Sequence, residues 1–480
     1  MSIEGRTYPV DIYYIQKPIS DYVRSSLQCV LNIHNSEPIE SGDVLVFLTG
    51  QQEIEELVSL IEDSLFEAKK DNMLVLPLYA GLSLEEQMKI FDTVKDKRKV
   101  IISTNIAETS ITIPSLRFVV DCGFVKERIY DYRSNRDCLV VTEISKSSAR
   151  QRAGRAGRVM NGKCFRLYTE QDYEKLKENT IPEIQKSNLS DIILQMKALG
   201  IDNLVFFDFL SSPPSSHMAQ SLETLYALGA LDDSCQLTNP LGLQMAEFPT
   251  DPFVSKILLH SGNMNCSQEM LIICAMTSVR NVFVTSRQLQ DRVEYVKRKF
   301  SVMEGDHLTY LNIYMSYLKN NKSSKWCYDN CITYKSMQRV EQFIHQFEKL
   351  LKRFSIPIKS IMDSNVGYGN IDPPIDTIRK CLISGYFSNA AQRQSDGSYK
   401  SVRGNDIYYI HPNSVLFKYP PEFVIFTELL FTTKVFMRDV TTIESDWLVE
   451  VCPQLFERSI DKKEREIQDR LLLLRNSEEE

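Results

Sequence analysis

The sequence predicts a multidomain protein: an α/β domain with a parallel sheet, a small helical domain with a β wing, a helical bundle and an antiparallel barrel. The chain has 480 residues, enough for about three domains that each bury a core. In the first third, short apolar runs alternate with amphipathic helical stripes, which is the pattern of a parallel sheet. The middle of the chain carries helical spacing alone, and strand-like runs return only near the end.

The composition narrows the class of protein before any motif is considered. Charged residues make up 25% of the chain and hydrophobic residues 43%, which is ordinary for folded globular domains. The 11 cysteines cannot all pair, so we expect reduced thiols in a cytosolic or nuclear compartment. No signal-peptide pattern occurs, and no apolar run reaches the roughly 18 residues of a membrane span. Cys327 and Cys331 have no second Cys or His pair at zinc-finger spacing, so no metal site is predicted.

The first third predicts a parallel sheet with a projecting hairpin. Apolar runs predict strands at residues 44–48, 74–78, 100–103 and 118–121. Residues 128–130 and 139–142 flank a polar turn, which predicts a β-hairpin. From Gln151 onward the chain is predicted to be helical.

The rest of the chain is predicted to be helical until close to its end. Residues 171–241 are mainly helical and finish in a turn-rich stretch, and residues 242–354 show helical stripes only. After a linker rich in Gly, Asp and Pro, a helix and four strands predict a small barrel, with the strands at residues 408–411, 415–417, 423–430 and 435–440. A charged tail, residues 461–480, follows.

One octet is the most informative segment, and it reads QRAGRAGR over residues 151–158. On a helix, Arg155 and Arg158 would share a face. Paired guanidinium groups suit the spread negative charge of a phosphoryl group in transfer, which is the role of an arginine finger. Taken alone, the octet is more typical of a solvated basic helix.

Two further segments accompany the octet. Residues 103–113 read STNIAETSITI, a dense set of hydroxyl groups after a strand, and residues 45–54 read LVFLTGQQEI, a strand followed by a glycine turn. With the octet, they resemble motifs IV, V and VI of the DEAH-box RNA helicases in order and spacing. The resemblance covers nearly the whole chain. It implies a second RecA-like domain with the hairpin at 1–170, a winged helix at 171–241, a ratchet bundle at 242–354 and an OB-fold at 355–460.

The resemblance implies a role for residues near the nucleotide. In the family, the motif VI glutamine positions the attacking water and two arginines contact the γ-phosphate, and here these are Gln151, Arg155 and Arg158. The motif V positions near the nucleotide are Ser110 and Thr112.

An aromatic ring that stacks on the adenine corresponds to Phe91. A core phenylalanine at helical spacing with Met88 is an equally open interpretation of that residue. Pro114 stands where many relatives have an aspartate at the ribose contact.

The resemblance also implies contacts to RNA. Thr104 and Asn105 match motif V contacts to the RNA backbone, and Lys126 follows a strand in a loop that similar enzymes lay against RNA. Residues 126–166 hold 11 Lys or Arg against 4 Asp or Glu, although the whole chain has a net charge of −7. This segment is therefore the expected electrostatic footprint for RNA and nucleotide.

Two family motifs do not occur in the 480 residues: the phosphate loop G-x-x-x-x-G-K-[ST] and the D-E-A-H tetrapeptide. In similar helicases these hold the phosphates and Mg²⁺ and lie in the first RecA domain. We therefore expect this chain to be the C-terminal portion of an ATP-dependent RNA helicase. Alone it should be inactive, and ATP and Mg²⁺ should bind only in the complete enzyme.

The partners implied are single-stranded RNA read with little sequence preference, the N-terminal RecA domain, and splicing factors or a G-patch-type activator. The resemblance implies pre-mRNA splicing and a nuclear location, with a cytoplasmic one left open, and no membrane. The alternative is a non-enzymatic module related to the helicase that binds RNA or a partner protein.

Overall fold

The computed structural model describes residues 8–456. The following positions within that range are outside the description: 70, 83, 93, 95, 110–111, 132–135, 205, 280–281, 285–289, 362–373, 432–433 and 454–455. The chain divides into two compact units, residues 8–129 with 139–183 and residues 130–138 with 184–456.

A six-stranded sheet forms the centre of the first unit, with strand order β1-β8-β5-β2-β4-β3 and every neighbouring pair parallel. The strands are β1 (Val10–Tyr14), β2 (Asp43–Phe47), β3 (Met73–Leu78), β4 (Arg98–Ser103), β5 (Leu116–Asp121) and β8 (Gly162–Arg166). The four predicted strands are confirmed as β2 to β5. Strands β1 and β8 were not predicted. Strand β1 is a largely exposed edge strand and has no apolar run. Strand β8 shows that the helix predicted from Gln151 onward is wrong beyond Gly154.

Both faces of this sheet are buried, as expected of parallel strands. Val44 and Val46 of β2 pack on one face with α1 and α2. Leu45 and Phe47 point to the other face, where Ala153 joins their cluster. The helices of this unit are α1 (Tyr22–Ser36), α2 (Gln51–Glu67), α3 (Leu84–Met88), α4 (Lys146–Gly154) and α5 (Glu170–Lys175).

The predicted hairpin is present and longer than expected. Strands β6 (Phe124–Asp131) and β7 (Arg136–Glu143) pair with each other in a two-stranded sheet.

The second unit begins with helices and ends in a barrel. Its helices are α6 (Ser190–Ala198), α7 (Ser215–Ala227), α8 (Leu241–Ala246), α9 (Pro252–Ser261), α10 (Ser267–Thr277), α11 (Gln290–Phe300), α12 (Asp306–Lys319), α13 (Ser324–Asp329), α14 (Tyr334–Arg353), α15 (Pro374–Tyr386) and α16 (Ser445–Val451). An antiparallel bridge joins Leu231 to Leu237 in the predicted β wing. One apolar core runs through these helices.

The barrel is closed, in the order β10-β11-β13-β12-β9. Its strands are β9 (Ala390–Arg393), β10 (Tyr399–Ser401), β11 (Ile407–Ile410), β12 (Phe423–Phe431) and β13 (Val435–Thr442). The predicted strand at 415–417 is wrong, because Val415 donates its N–H to Asp306 Oδ1 at 2.9 Å and not to a neighbouring strand. The short strands β9 and β10 were not predicted.

The fold class predicted from the sequence is confirmed, except that β11 and β13 of the barrel pair in parallel. The domain boundaries at 170, 241, 354 and 460 stay predictions. None of the helices in the described ranges is both long and apolar enough to span a membrane.

Candidate functional site

The three segments singled out in the sequence, residues 45–54, 103–113 and 151–158, meet at the side of the first unit's sheet where the parallel strands end. Strands β2, β4 and β5 are parallel neighbours, so their carboxyl ends lie side by side. Gly50 then begins α2, and a 3₁₀ turn, Asn105–Glu108, follows β4. The site is therefore built on the strand ends, where open α/β sheets place their ligands.

Arg152 connects these segments from inside the protein. Its Nε donates to Glu108 Oε1 at 2.6 Å, and its Nη1 donates to Asp121 Oδ1 at 2.8 Å. The side chains of Arg152 and Asp121 are both 0% exposed. The backbone carbonyl of Phe124 accepts a further bond from Nη1 at 3.1 Å.

The charges around Arg152 compensate each other. Burial acts to lower the pKa of Arg152, but the charges of Asp121 and Glu108 outweigh it and hold that pKa well above its usual range. The guanidinium also lies 5.0 Å from the centre of the Phe47 ring. Arg152 is thus permanently charged and fixes α4 against the turn that follows β4.

Arg155 and Arg158 lie beyond the end of α4, which corrects the prediction of one continuous helix. The helix ends at Gly154, and both arginines are in the turns that follow. Arg155 is buried, and its Nη2 donates to the backbone carbonyl of Glu108. Burial, together with the charge of Arg158, lowers the pKa of Arg155, and Glu108 opposes that shift.

Arg158 is exposed, and it is the arginine best placed to meet a ligand from solvent. Its Nη1 donates to Thr112 Oγ1 at 2.5 Å, so the structure brings together two predicted nucleotide-binding residues. Ser110 lies outside the described residues. Gln151 is exposed on α4, one turn before Arg155.

The two glycines of the octet differ in their role. A Cβ at Gly157 would lie 2.6 Å from the carbonyl oxygen of Tyr8, whereas a Cβ at Gly154 would meet open space. The small side chain is needed at 157, where the chain passes directly beside the residues that lead into β1.

Phe91 is not a core residue. It follows α3 in a 3₁₀ turn, Lys89–Phe91, and 41% of its surface is exposed, whereas Ile90 beside it is buried. The structure rules out the core interpretation and leaves the ring available to a planar ligand.

The predicted RNA contacts lie at the same sheet edge. Asn105 is exposed, and the Thr104 N–H donates to the carbonyl of Leu78 at 3.2 Å. Lys126 lies on strand β6 and not in a loop, which corrects the prediction. It passes beside Gly50: a Cβ at that glycine would lie 3.7 Å from Lys126 Cδ. Three predicted RNA-binding residues thus adjoin the ends of β2 and β4.

Sequence reasoning missed the acidic residues that organise the site. Glu108 accepts from Arg152 and, through Oε2, from the Ser148 hydroxyl at 2.9 Å, while Asp121 accepts from the Tyr168 hydroxyl at 2.9 Å. One signal was available, because Arg152 stands between Ala149 and Ala153 on the buried face of α4. A charge at such a position needs a buried partner. No cluster of metal-ligating side chains occurs among the residues described.

Family models match four parts of the chain. The helicase conserved C-terminal domain matches residues 25–160, and the winged-helix part of the helicase-associated domain matches 221–250. The ratchet-like part of the same domain matches 251–310, and an oligonucleotide/oligosaccharide-binding fold matches 378–455. The fold and these matches together indicate the C-terminal portion of a helicase.

Curated relatives match along almost the whole chain. It is 49% identical to the "Probable ATP-dependent RNA helicase DHX35" of Homo sapiens, over 98% of this chain and 66% of the relative. It is 41% identical to the "Pre-mRNA-splicing factor ATP-dependent RNA helicase DEAH10" of Arabidopsis thaliana, over 95% and 64%. It is 43% identical to the "Pre-mRNA-splicing factor ATP-dependent RNA helicase prp22" of Schizosaccharomyces pombe, over 95% of this chain and 38% of the relative. The chain belongs to the DEAH-box helicase family. It spans less than two thirds of the length of each of these relatives.

Proposed function

We propose that this chain supplies the arginine half of the ATP site and one side of the RNA channel of a DEAH-box ATP-dependent RNA helicase that acts in pre-mRNA splicing. One observation carries the proposal: Arg152, held by Glu108 and Asp121 inside the sheet edge, fixes the turn that places Arg158 next to Thr112. The names of the plant and fission-yeast relatives support the assignment to splicing.

The arrangement has the chemistry of an arginine finger. Charge that develops on a transferred phosphoryl group is stabilised by guanidinium groups that are already oriented before the reaction. Arg158 can approach such a group from the exposed side, while Arg155 is held by the Glu108 carbonyl. Gln151 is exposed beside them, where its amide can orient a water molecule.

ATP and Mg²⁺ would be held jointly with a second domain. Arg158 and Thr112 fit the phosphates, and Phe91 offers an exposed ring to the base. The sequence of this chain contains no G-x-x-x-x-G-K-[ST] loop and no D-E-A-H segment, the elements that hold the remaining phosphate oxygens and the metal. We assign those elements to an N-terminal RecA domain.

RNA would pass the same sheet edge. Thr104, Asn105 and Lys126 lie together there, and the segment 126–166 carries an excess of seven positive charges, from 11 basic and 4 acidic residues. Contacts to the RNA backbone from such residues bind single strands with little sequence preference.

The direct test joins this chain to a phosphate-loop RecA domain from a DEAH-box relative and measures ATP hydrolysis with and without single-stranded RNA. The 480-residue chain alone should show no turnover, and the joined protein should turn over ATP at about 1 s⁻¹ or faster when RNA is present. The matched control replaces the phosphate-loop lysine of the added domain with alanine, which should abolish turnover. A joined protein that binds RNA but never hydrolyses ATP would favour the non-enzymatic module.

A further inference from the structure

A polar cavity in the second unit lies apart from the residues assigned to ATP and RNA. It has a volume of about 590 Å³ and opens between α8, α9 and the residues that follow α14. That volume is within the roughly 300–1,000 Å³ of small-molecule sites. None of the residues proposed to contact ATP or RNA lines it.

Three basic side chains line the cavity, and the lining residues include no carboxylate. Lys256 and His260 are four residues apart on α9, so they share one face of that helix. Lys359 approaches from the segment after α14, where its Nζ donates to Asn265 Oδ1 at 3.2 Å. Lys256 and Lys359 therefore bring two positive charges to the cavity, inside a chain whose net charge is −7.

The acidic residues near the cavity form their bonds with groups outside it. Glu247, at the end of α8, pairs with Arg353, and Glu269 on α10 accepts from the Ser360 hydroxyl at 2.5 Å. Among the described residues, Lys256 forms no ion pair. Burial lowers the pKa of Lys256, and burial together with the charge of Lys256 lowers the pKa of His260. An anion in the cavity would relieve the cost of holding Lys256 charged there.

The walls of the cavity are fixed by the fold. A Cβ at Gly262 would lie 2.5 Å from Ile356 Cγ2, so the glycine lets the segment after α14 close against α9. The N–H of Lys359 donates to Ser267 Oγ at 2.8 Å, and its carbonyl accepts from the Gln268 N–H at 3.0 Å. The backbone that walls the cavity is thus preorganised, which lowers the cost of binding a ligand there.

The remaining lining mixes amides with apolar groups. Gln244, Asn263 and Asn265 offer donors and acceptors, and Leu241, Leu259 and Ile356 offer apolar surface. A bare inorganic anion would use only the basic groups. A ligand that carries a phosphate next to a flat, partly apolar ring system would use all three kinds of surface.

We propose that this cavity binds a small phosphorylated molecule of mononucleotide size, with its phosphate at Lys256 and Lys359 and its ring system against Leu241, Leu259 and Ile356.

Isothermal titration calorimetry of the 480-residue chain with AMP, adenosine and inorganic phosphate tests the proposal. AMP should bind, adenosine should not bind measurably, and inorganic phosphate should bind more weakly than AMP and compete with it. Lys256→Gln should weaken AMP binding about tenfold or more, because it removes a charge-assisted hydrogen bond. Lys359→Gln is the second variant: Lys359 is exposed, so its replacement does not endanger the fold.

The matched control is Lys319→Gln, an exposed lysine at the end of α12, which should leave AMP affinity unchanged. Equal affinity for AMP and adenosine, or AMP affinity that survives both cavity variants, would overturn the proposal. Loss of AMP binding in Arg158→Ala would also overturn it, because AMP would then occupy the proposed ATP site. Binding of a phosphoserine peptide without binding of AMP would make the cavity a protein-docking site instead.

Discussion

Arg152 on α4 and Asp121 at the end of β5 form an ion pair, with 2.8 Å between Nη1 and Oδ1, and neither side chain is exposed to solvent. Glu108 adds a second carboxylate at 2.6 Å from Nε. The turn that carries Arg155 and Arg158 follows directly from the helix that this pair anchors. The position of the exposed Arg158 therefore depends on the ion pairs of Arg152, which do not contact the ligand.

The first prediction concerns that buried pair. Arg152→Met should lower the free energy of unfolding of the first unit by about 3–5 kcal/mol, because it leaves the buried Asp121 carboxylate and the partly buried Glu108 carboxylate without their cation. Urea denaturation measures the change. The matched control is Arg150→Ala on the same helix, an exposed arginine paired with exposed Glu178, and its midpoint should stay close to that of the parent. Equal midpoints for both variants would contradict the anchoring role.

The second prediction separates the two arginines beyond α4. Arg155→Ala should lower the free energy of unfolding by about 1–3 kcal/mol, because the partly buried Glu108 carbonyl loses a donor and the buried Arg155 side chain leaves a gap. Arg158→Ala should leave the urea midpoint close to that of the parent, because the Arg158 side chain is exposed and its bond to the exposed Thr112 hydroxyl competes with water. If Arg158→Ala destabilised the chain as much as Arg155→Ala, the assignment of Arg158 to a ligand would lose its support.

The third prediction concerns pH and the second unit. The ring of His307 is buried, with Nδ1 at 2.8 Å from the Thr441 hydroxyl and Nε2 at 2.9 Å from the Thr427 hydroxyl. Burial lowers the pKa of His307 to about 3, and burial together with the charge of Asp439 raises the pKa of Asp306 to about 6. At about pH 5 the folded chain holds a proton on Asp306, while the unfolded chain holds one on His307. The two states therefore bind equal numbers of protons at these residues, and their contributions to the pH dependence of the free energy of unfolding cancel.

His307→Gln removes the proton that His307 binds in the unfolded chain, whereas Asp306 still binds its proton in the folded chain. Relative to the parent, its stability should therefore rise by up to about 1.4 kcal/mol for each unit that the pH falls between about 6 and 4. Urea curves across that pH range give the two slopes. Parallel slopes for parent and variant would show that His307 titrates alike in the folded and unfolded chain.

The fourth prediction concerns RNA. Binding of a labelled oligouridine, followed by fluorescence anisotropy, should weaken with salt at about −0.7 in log K per log salt for each phosphate contact. Lys126→Ala should weaken binding of all sequences alike and make the slope shallower by less than one contact. The matched control is Lys97→Ala, which lies at the opposite edge of the same sheet, before β4, and pairs with Asp71. A salt slope that becomes shallower in Lys97→Ala and stays unchanged in Lys126→Ala would contradict the proposed RNA path.

The parts of the fold that carry buried, regular patterns could be predicted from the sequence, and the rest could not. Strands β2 to β5 are apolar because both faces of the sheet are covered, so their positions were evident. Strand β1 is an exposed edge strand and carries no such signal. The false strand at 415–417 is apolar, but its backbone is held by Asp306, which is more than a hundred residues away in the sequence.

The residues of the candidate site also divide into those that the sequence predicts and those that only the structure reveals. Spacing identified Arg155 and Arg158 but placed them on a helix that ends at Gly154. Their difference in exposure depends on the Glu108 carbonyl, a contact across 47 positions that no local pattern contains. For the same reason the sequence could indicate that Arg152 needs a buried partner, but not that Glu108 and Asp121 are those partners.

The most direct test of the account is the kcat of Arg158→Ala in the enzyme completed with a phosphate-loop RecA domain, measured at saturating RNA beside the Arg150→Ala control. Arg158→Ala should lower kcat by roughly 10³–10⁵, the range of an arginine finger, while its urea midpoint stays that of the parent. Arg150→Ala should keep the parental kcat. A folded Arg158→Ala enzyme with unchanged kcat would show that the octet at 151–158 is only a solvated basic segment.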